Sequence, residues 1–214
     1  MNNELLILGA GGHAKVVIEA ARLCGLNPCA VYDDDASLLG KLILGVPVKG
    51  KIIDLPDDRS GSAFIAIGNT KIRRLIAQRL SELNWPVLVH PAAYVSPSAR
   101  IGKGSIVCAG AVVQPDVEIG EHVIINIGAN IDHDCVIGDF VHICPGCNLA
   151  GAARVDEGAM LGSGTSVVPL KQIGSWATLG AGAAVVSDIP AGVVAVGVPA
   201  TKSGGDRAVA RCSA

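Results

Sequence analysis

Apolar residues recur at every sixth position through the second half of the chain. From Val95 onward, each sixth residue is Ile, Leu or Val over sixteen consecutive positions. These positions are Val95, Ile101, Val107, Val113, Ile119, Ile125, Ile131, Ile137, Ile143, Leu149, Val155, Leu161, Val167, Ile173, Leu179 and Val185. The residue four places after each of them is small or aliphatic, with Lys171 as the exception.

A six-residue period fits neither a helix of 3.6 residues per turn nor a plain alternating strand. It fits short strands separated by sharp turns, with two inward residues on each strand. Three such sides form a coil of about 18 residues, so residues 95–190 make about five coils. Each coil alone has too little core, and stacking of the coils buries the apolar columns. The pattern therefore predicts a parallel β-helix.

The first eighty residues have a different pattern. Residues 4–8 read as a buried strand, Gly9 to His13 as a Gly-rich turn, and residues 14–23 as a helix. A second strand at 28–32 ends in Asp33, Asp34 and Asp35, and residues 64–69 and 70–83 read as a strand with its turn and a helix. Backbone N–H groups at a helix N-terminus bind phosphate, and an acid after the second strand can bind a ribose hydroxyl or a base edge.

Three interpretations of this Gly-rich turn are open. Gly9, Gly11 and Ala14 fit the loose dinucleotide fingerprint, but the roughly 85 residues before the repeat are only half of such a fold. A turn without a ligand is the second interpretation, and a phosphate-bearing nucleotide ligand is the one we favour. We expect a Rossmann-like α/β half domain over residues 1–88, the β-helix over 89–202 and a tail over 203–214.

Composition and charge exclude several classes of partner. The net charge of −2 and the absence of a Lys/Arg cluster argue against nucleic acid and an anionic membrane. The polar start, with no long apolar stretch, predicts neither a signal peptide nor a membrane span, and hence a cytoplasmic protein. The seven cysteines are an odd count, which favours reduced thiols. Cys147 falls on a core position, so we interpret Cys144 and Cys147 as structural.

Several motifs appear in one order along the chain. They are Gly9-Ala-Gly-Gly-His13, Asp33-Asp34, Ala66-Ile67-Gly68-Asn69 followed by Arg73, His133-Asp134-Cys135 continuing to His142, and Gly197-Val-Pro-Ala200. Together they resemble the sugar acyltransferases of the sialic acid O-acetyltransferase family. That group includes N-acetyltransferases of bacillosamine synthesis, which act on UDP-4-amino-4,6-dideoxy sugars, and GDP-perosamine N-acetyltransferase. The resemblance covers nearly the whole chain before the tail and implies a left-handed β-helix.

The resemblance also implies a reaction and its residues. It implies acetyl transfer from acetyl-CoA to the 4-amino group of a nucleotide-linked sugar, with UDP as our first choice, or to a sialic acid hydroxyl as the alternative. His133 would be the general base, Asp134 would orient it, and His142 would contact the thioester. Gly151, Ser163 and Ala181 would line the CoA arm, while Gly11, Gly12, His13, Asp33, Asp34 and Gly68 would form the nucleotide-sugar pocket. A homotrimer without a metal ion is expected.

The repeat itself supports His133 as a surface group. His133 is the third residue of the hexad that starts at Ile131, outside the inward columns, and Gly151 lies one coil later. His142 is also outside them, so we expect both rings to reach a groove on the β-helix. Alternation along a strand would point Asp134 away from His133, unless a corner brings the two together.

Other expectations concern the remaining polar residues. We expect His90 and His122 on the surface. Lys171 breaks the inward pattern, and an unpaired buried lysine is costly. We therefore expect an irregular coil there, with Lys171 in solvent or facing the CoA phosphates.

Two rival functions remain at this point. A zinc site built from His122, His133 and His142 is one. A nucleotide-sugar sensor without catalysis is the other.

Overall fold

The structure, a computed structural model, describes residues 3–55 and 61–203. It confirms the predicted fold class, an α/β domain followed by a parallel β-helix of six-residue repeats. The predicted tail, apart from residue 203, lies outside the described residues. Within the described ranges, neither helix is long and apolar enough to cross a membrane.

The α/β domain is one five-stranded sheet with two helices. Its elements are β1 (Glu4–Leu8), α1 (Gly12–Leu23), β2 (Asn27–Tyr32), β3 (Leu42–Ile43), β4 (Val46–Gly50), β5 (Ser62–Ile65) and α2 (Thr70–Arg79), with 3-10 turns at Ala36–Leu38 and Ile52–Asp54. The strand order is β3-β4-β2-β1-β5, and only β3 and β4 pair antiparallel within it. The β3–β4 hairpin was not predicted, and α2 ends four residues before the predicted end at Leu83.

The β-helix has a strand of two residues on each side of every regular coil. These strands are β6 (Leu88–Val89), β7 (Tyr94–Val95), β8 (Arg100–Ile101), β9 (Ile106–Val107), β10 (Val112–Val113), β11 (Glu118–Ile119), β12 (Ile124–Ile125), β13 (Asn130–Ile131), β14 (Val136–Ile137), β15 (His142–Ile143), β16 (Asn148–Leu149), β17 (Arg154–Val155), β18 (Met160–Leu161), β19 (Ser166–Val167), β20 (Gln172–Ile173), β21 (Thr178–Leu179) and β22 (Ala184–Val185). Two strands, β23 (Val194–Val196) and β24 (Thr201–Lys202), close the fold.

The strands form three sheets, which are the three sides of the β-helix. Face 1 contains β7, β10, β13, β16, β19 and β22, and face 2 contains β8, β11, β14, β17 and β20. Face 3 contains β6, β9, β12, β15, β18, β21, β23 and β24. Each strand pairs in parallel with the strand one coil later, so that Val112 lies beside Asn130. The predicted domain boundary after residue 88 falls inside β6.

The predicted inward column forms the core of the β-helix. Fourteen of its sixteen members are buried, and Val95 and Ile101 in the first coil are partly buried against them. Cys147 is fully buried in this core, as predicted.

Lys171 is not enclosed in the core. It is half-exposed, and its own coil keeps the normal register, with Arg154 beside Gln172. The irregularity lies one coil later, where Ile173 pairs with Ile189 after sixteen residues instead of eighteen.

From Gly104 to Gly182, every corner contains a residue with a positive φ, at intervals of six residues. At the corner between faces 1 and 2, these residues are not glycines but Asp116, Asp134, Ala152 and Leu170, with φ between 56° and 64°. This left-handed conformation is tolerated best by Gly, Asn and Asp. The chain turns there from one face to the next, so neighbouring side chains do not follow the alternation of an extended strand.

The α/β domain packs on face 3. The outward residues Leu88, Ile106 and Ile124 of this face share one apolar cluster with Val17 and Phe64 of the α/β domain. Burial of such side chains contributes about 1.5 to 3 kcal/mol each. Because of this docking, face 3 is covered over part of its length.

His122 is buried, so its predicted surface position is wrong. It lies at the corner between faces 2 and 3, where the α/β domain and the segment after it cover the β-helix. The ring is 2% exposed, stacks on Phe140 at 5.4 Å and meets the edge of Trp85 at 5.0 Å. The six-residue pattern marks His122 as outward, but it does not reveal which outward positions the other domain covers.

Candidate active site

His133 and Asp134 form a hydrogen-bonded pair on the corner between faces 1 and 2. His133 Nδ1 lies 2.7 Å from Asp134 Oδ2, and both side chains are 60% exposed. Because a carboxylate accepts, Nδ1 carries the proton and Nε2 of the neutral ring is a free acceptor. The hydrogen bond to Asp134 and the charge of Asp132 raise the pKa of His133 above its ordinary value.

Gly151 lies directly against the His133 ring. A Cβ placed on Gly151 would lie 2.7 Å from His133 Cε1 and 2.8 Å from Nε2. The expected stacking of this glycine beside the projecting histidine is therefore found. No side chain other than hydrogen fits between the ring and the next coil, so Gly151 determines where the imidazole lies.

A groove runs along the outer surface of face 1, next to this pair. It encloses about 470 Å³ and is lined by residues that include Asn130, Asp132, Asn148 and Ser166. Asp132 accepts a hydrogen bond from the backbone N–H of His133 at 2.8 Å, which links the groove to the histidine. The groove has an apolar floor with polar side chains around it, which suits a long flexible ligand.

Ser163 and Ala181 lie on the opposite edge of face 1. They occupy equivalent positions in successive coils, at the exposed corner between faces 3 and 1. Ser163 precedes β19, whose residues line the groove. The backbone N–H of Gly182 donates to the carbonyl of Ser163 at 2.8 Å, so the coil ladder fixes this carbonyl.

The Gly-rich turn lies at the N-terminus of α1. Gly11 is the N-cap residue, no side chain caps the helix, and the first turn contains no acidic residue. Helix α2 differs, because the Asn69 side chain accepts from the N–H groups of Lys71 and Ile72. The positive end of α1 is therefore open to an anion, whereas that of α2 is satisfied by its own residue. Gly12 is exposed beside this open end.

Asp33 and Asp34 hold the loops around the Gly-rich turn. Asp33 Oδ2 accepts from the N–H of Ala10 at 2.7 Å, and its Oδ1 accepts from the N–H of Asp35 at 2.9 Å. Asp34 Oδ1 accepts from the N–H of Ile52 at 3.1 Å. Both carboxylates thus bind backbone groups of the loops, and Asp34 is exposed to solvent.

His142 lies on face 3, where the α/β domain meets the β-helix. Its Nδ1 is 3.2 Å from the carbonyl oxygen of Gly68, and its Nε2 is 3.3 Å from Asn126 Nδ2. Asn126 Oδ1 accepts from the N–H of Ile127 at 2.8 Å, which turns the amide N–H₂ toward the ring. A carbonyl only accepts and this N–H₂ only donates, so His142 is the neutral tautomer protonated at Nδ1.

One further ring, that of His13, is close to this position. The His13 ring lies 6.4 Å from that of His142, and its buried Nε2 has no hydrogen-bond partner among the described residues. Burial and the charge of Arg73 lower the pKa of His13 to about 4 and that of His142 to about 3. The predicted pocket residues His13 and Gly68 are therefore brought together with His142.

His133 and His142 do not share one groove within the chain, contrary to our expectation. His133 is on the corner between faces 1 and 2, which is opposite face 3 in the triangular cross-section. The expectation failed because both residues are outward in the repeat, and the repeat does not show which sides they occupy relative to the α/β domain.

The rival zinc site is also not formed by these histidines. His122 is buried at one corner, His133 is exposed at another, and His142 is under the α/β domain. Within residues 3–55 and 61–203, no group of three histidine, cysteine or acidic residues is arranged to hold a metal ion.

Two polar residues of this region were not predicted as site residues. Asn126 holds His142, and Arg73 donates to the carbonyl of Gly68. Arg73 was noted only as part of a motif. Asn126 lies one coil before Cys144, and an outward asparagine at such a position gives no sequence signal of its own.

Comparison with known proteins places this fold among acetyltransferases. A family profile described as the PglD N-terminal domain matches residues 4–80. UDP-N-acetylbacillosamine N-acetyltransferase of Bacillus subtilis is 42% identical over 112 residues, which are 50% of this chain and 51% of that protein. The chain thus matches about half the length of this curated relative, and 20% of an uncharacterized protein of Acanthamoeba polyphaga mimivirus at 34% identity.

Solved structures match over nearly the whole chain. The acetyltransferase domain of PglB from Neisseria gonorrhoeae is 40% identical with a TM-score of 0.88, covering 94% of this chain and 100% of that one. It has also been solved in complex with acetyl coenzyme A. PerB from Caulobacter crescentus, in complex with CoA and GDP-perosamine, is 42% identical with a TM-score of 0.89, covering 94% and 97%.

Both solved structures share this fold: the PglB domain is an acetyltransferase, and PerB was solved with CoA and a nucleotide-linked sugar. The chain belongs to the same family, the sugar N-acetyltransferases with a PglD-type N-terminal domain. The family and the acyltransferase class predicted from the motifs are confirmed.

Proposed function

We propose that the chain transfers the acetyl group of acetyl-CoA to the 4-amino group of a nucleotide-linked amino-dideoxy sugar, UDP-linked as our first choice. The observation that carries the proposal is the exposed His133–Asp134 pair beside Gly151 and the groove of face 1. The curated relative acts on a UDP sugar by its name, and PerB was solved with a GDP sugar. Both relatives thus support a nucleotide-linked sugar as the acceptor.

The proposed step needs one base and no covalent enzyme intermediate. The amine nitrogen attacks the thioester carbonyl carbon, a C–N bond forms, and the C–S bond breaks to release CoA. His133 Nε2 accepts the proton that the amine loses, CoA leaves as its thiolate, and Asp134 keeps the proton of the ring on Nδ1. A positioned base of this kind contributes about 10² to 10⁴-fold to the rate.

The remaining residues divide into two binding regions. Gly11, Gly12 and His13 receive the phosphates at the open end of α1, while Asp33, Asp34 and Gly68 shape the pocket around them. Gly151, Ser163 and Ala181 line the CoA arm along the groove of face 1. His142 contacts the thioester end of acetyl-CoA.

The two regions are on opposite sides of one subunit, which supports a homotrimer. The base is on the corner opposite face 3, whereas the Gly-rich turn and His142 are at the docked α/β domain. A neighbouring copy related by a threefold axis would bring its own His133 corner to the pocket of the first. Each complete site would then be formed by two subunits, with CoA between them.

A thiol-release assay with acetyl-CoA tests the proposal. The acceptors are UDP-, GDP- and dTDP-linked 4-amino sugars, together with sialic acid. We expect the largest kcat/KM with a nucleotide-linked amino sugar, and about a 100-fold fall in kcat with little change in KM for His133→Ala. His90→Ala is the matched control, because His90 is a half-exposed histidine that accepts from Ala92 in a different corner.

Each other outcome contradicts a defined part of the proposal. Turnover of sialic acid alone would favour O-acetylation of a sugar hydroxyl. Binding of nucleotide sugars without any thiol release would favour a sensor. A His133→Ala variant with the wild-type rate would refute the assignment of His133 as the general base. The cytoplasmic location stays a prediction.

A further inference from the structure

Arg73 is a buried cation between the α/β domain and the β-helix. Its side chain, in α2, is 1% exposed. The guanidinium donates to five backbone carbonyls at 2.8 to 3.2 Å, those of Ile67, Gly68, His122, Phe140 and Val141. Its partners are thus neutral, and it forms no ion pair with a carboxylate in the part of the chain that the structure describes.

These carbonyls come from two separate parts of the fold. Ile67 and Gly68 belong to the turn that precedes α2, whereas the other three belong to the corner between faces 2 and 3 and the start of face 3. A planar guanidinium with five N–H donors can bind all of them at once, which a lysine ammonium with three cannot. Arg73 therefore fixes the turn at residues 67–68 against the β-helix.

The carbonyl of Gly68 is shared between Arg73 and His142. Arg73 Nη1 lies 3.1 Å from this oxygen and His142 Nδ1 lies 3.2 Å from it. On the far side of the ring, Nε2 accepts from Asn126. A protonated Nε2 would face the amide N–H₂ of Asn126, so the imidazolium does not fit without a flip that breaks the hydrogen bond to Ile127.

We propose that Arg73 is a positioning residue: through the shared carbonyl of Gly68, its guanidinium holds His142 as the neutral imidazole protonated at Nδ1. The inference rests on the proposed function in one respect, the presence of His142 at the thioester. The tautomer itself is a property of the folded chain and can be measured without turnover.

The charges around His142 act in the same direction. Arg73 faces the ring from α2, His13 faces it from α1, and the β-helix contributes the neutral amide of Asn126. Burial, then Arg73, then His13 lower the pKa of His142, while the hydrogen bond to Gly68 raises it in part. Burial also lowers the pKa of Arg73 to about 9, opposed by the nearby thiol of Cys144, so Arg73 is still a cation at neutral pH.

NMR of labelled histidine tests the tautomer in the wild-type protein. The His142 resonance is assigned by its absence in His142→Asn. We expect a neutral ring protonated at Nδ1 down to pH 5. A ring protonated at Nε2, or an imidazolium at pH 6, would overturn the proposal in the wild type, whether or not any variant folds.

Replacement of Arg73 tests its part in this arrangement. In Arg73→Met we expect His142 to titrate above pH 5, because the nearby cation that lowers its pKa is lost. In Arg73→Lys we expect the His142 ring to stay neutral, because the positive charge is kept. The preference for a proton on Nδ1 should be weaker, because the planar guanidinium with its five N–H donors is lost. Arg74→Met is the control, since Arg74 is the half-exposed neighbour that pairs with Glu157 and lies over the Trp176 ring.

The pH profile separates this role from a purely structural one. Below pH 6, log kcat/KM of the wild type should fall with a slope of about one, from protonation of His133. In Arg73→Met the slope should approach about two, because His142 also takes up a proton. A folded Arg73→Met protein that keeps the wild-type tautomer and slope would refute the proposal. Absence of thiol release by the wild type would refute the proposed function, and the NMR result would still decide the role of Arg73.

Discussion

The carboxylate of Asp134 returns to the ring of His133, its neighbour in sequence, at 2.7 Å. Adjacent side chains of an extended strand point to opposite sides, so this contact depends on the corner. Asp134 has a φ of 60°, a conformation that aspartate tolerates better than most residues. The corner between faces 1 and 2 thus provides both the exposure of the imidazole and its hydrogen-bond acceptor.

The first prediction concerns this acceptor. In Asp134→Asn, the pKa of His133 should fall, because the hydrogen bond to the carboxylate is the first cause of its increase. The base is then free of its proton at lower pH, so the acid limb of the kcat profile should shift to lower pH. The plateau should fall about tenfold or more, since a weaker base with an unfixed tautomer is less effective. The pH dependence of kcat measures both effects.

Asp132→Asn is the control for charge alone. Asp132 raises the pKa of His133 through space and accepts from its backbone N–H, but its Oδ2 is 4.0 Å from Nε2. The acid limb should move in the same direction by less, with a small change in the plateau. Equal decreases of the kcat plateau in Asp134→Asn and Asp132→Asn would mean that the orientation of His133 by Asp134 does not contribute to the rate.

The second prediction concerns the glycine under the ring. In Gly151→Ala, the new methyl group would lie within 3 Å of His133, and an exposed ring can swing away. The Asp134 hydrogen bond should then be lost, and kcat should fall about tenfold or more while Tm changes little. Gly61→Ala is the control, because no other described residue has an atom within 4 Å of a Cβ at that position. A fall in Tm that accounts for the whole loss of activity would show that Gly151 is needed for folding instead.

The repeat made one part of this site predictable. Inward and outward positions follow from the six-residue period, so His133 was placed outside the core with Gly151 beside it, and Cys147 inside. The period is a local property of consecutive coils, and each coil repeats the same pattern of inward and outward positions. It therefore defines the column of a residue even without knowledge of any other part of the chain.

The docking of the two domains made the rest unpredictable. Three features depend on contacts between residues far apart in sequence: the burial of His122, the position of His142 under the α/β domain, and three of the five carbonyl partners of Arg73. Nothing in the hexads marks which outward side chains another domain covers. The left-handed residue at Asp134 was unpredictable for another reason, because at its corner the equivalent residues include Ala152 and Leu170, which do not favour that conformation.

The third prediction is loss of stability in acid. His122 has a pKa lowered to about 4 by burial and by the charges of Arg73 and Lys103, against 6.5 in the unfolded chain. Between these values the unfolded state binds more protons, so the free energy of unfolding falls as the pH falls from about 6.5 toward 4. One such histidine contributes about 1.4 kcal/mol per pH unit to this loss. His13 and His142, whose pKa values are also lowered, act in the same direction.

His122→Phe isolates the contribution of one ring. Phe140, one coil later, already has a φ of 58° in the equivalent position, so an aromatic residue with the positive φ of His122 is compatible with this corner. Urea unfolding measures the free energy of unfolding at pH 7 and at pH 5. The decrease between these pH values should be smaller in His122→Phe than in the wild type by about 2 kcal/mol. His90→Asn, at a half-exposed ring, should leave the wild-type difference unchanged. The same pH dependence in His122→Phe as in the wild type would mean that His122 does not titrate in this range.

The fourth prediction follows from the separation of His133 and His142 within one subunit. If each site takes its base from one copy and its pocket from the next, two inactive variants should complement each other. His133→Ala and His142→Ala subunits, co-expressed with different tags and purified through both tags, form heterotrimers. In a closed ring of either composition, one site in three combines an intact pocket with an intact base, so about a third of the wild-type kcat should return.

Other arrangements give different results in this experiment. If His133 and His142 of the same subunit worked together, every site would lack one of them, and the doubly tagged protein would be as inactive as each variant alone. Heterotrimers of His133→Ala with Asp134→Asn subunits are the control, because both changes are on the same corner. No site then contains an intact His133–Asp134 pair. Activity above the level contributed by the Asp134→Asn subunits is therefore not expected. Recovery in the first mixture without recovery in the second requires that the corner of one subunit completes the pocket of another.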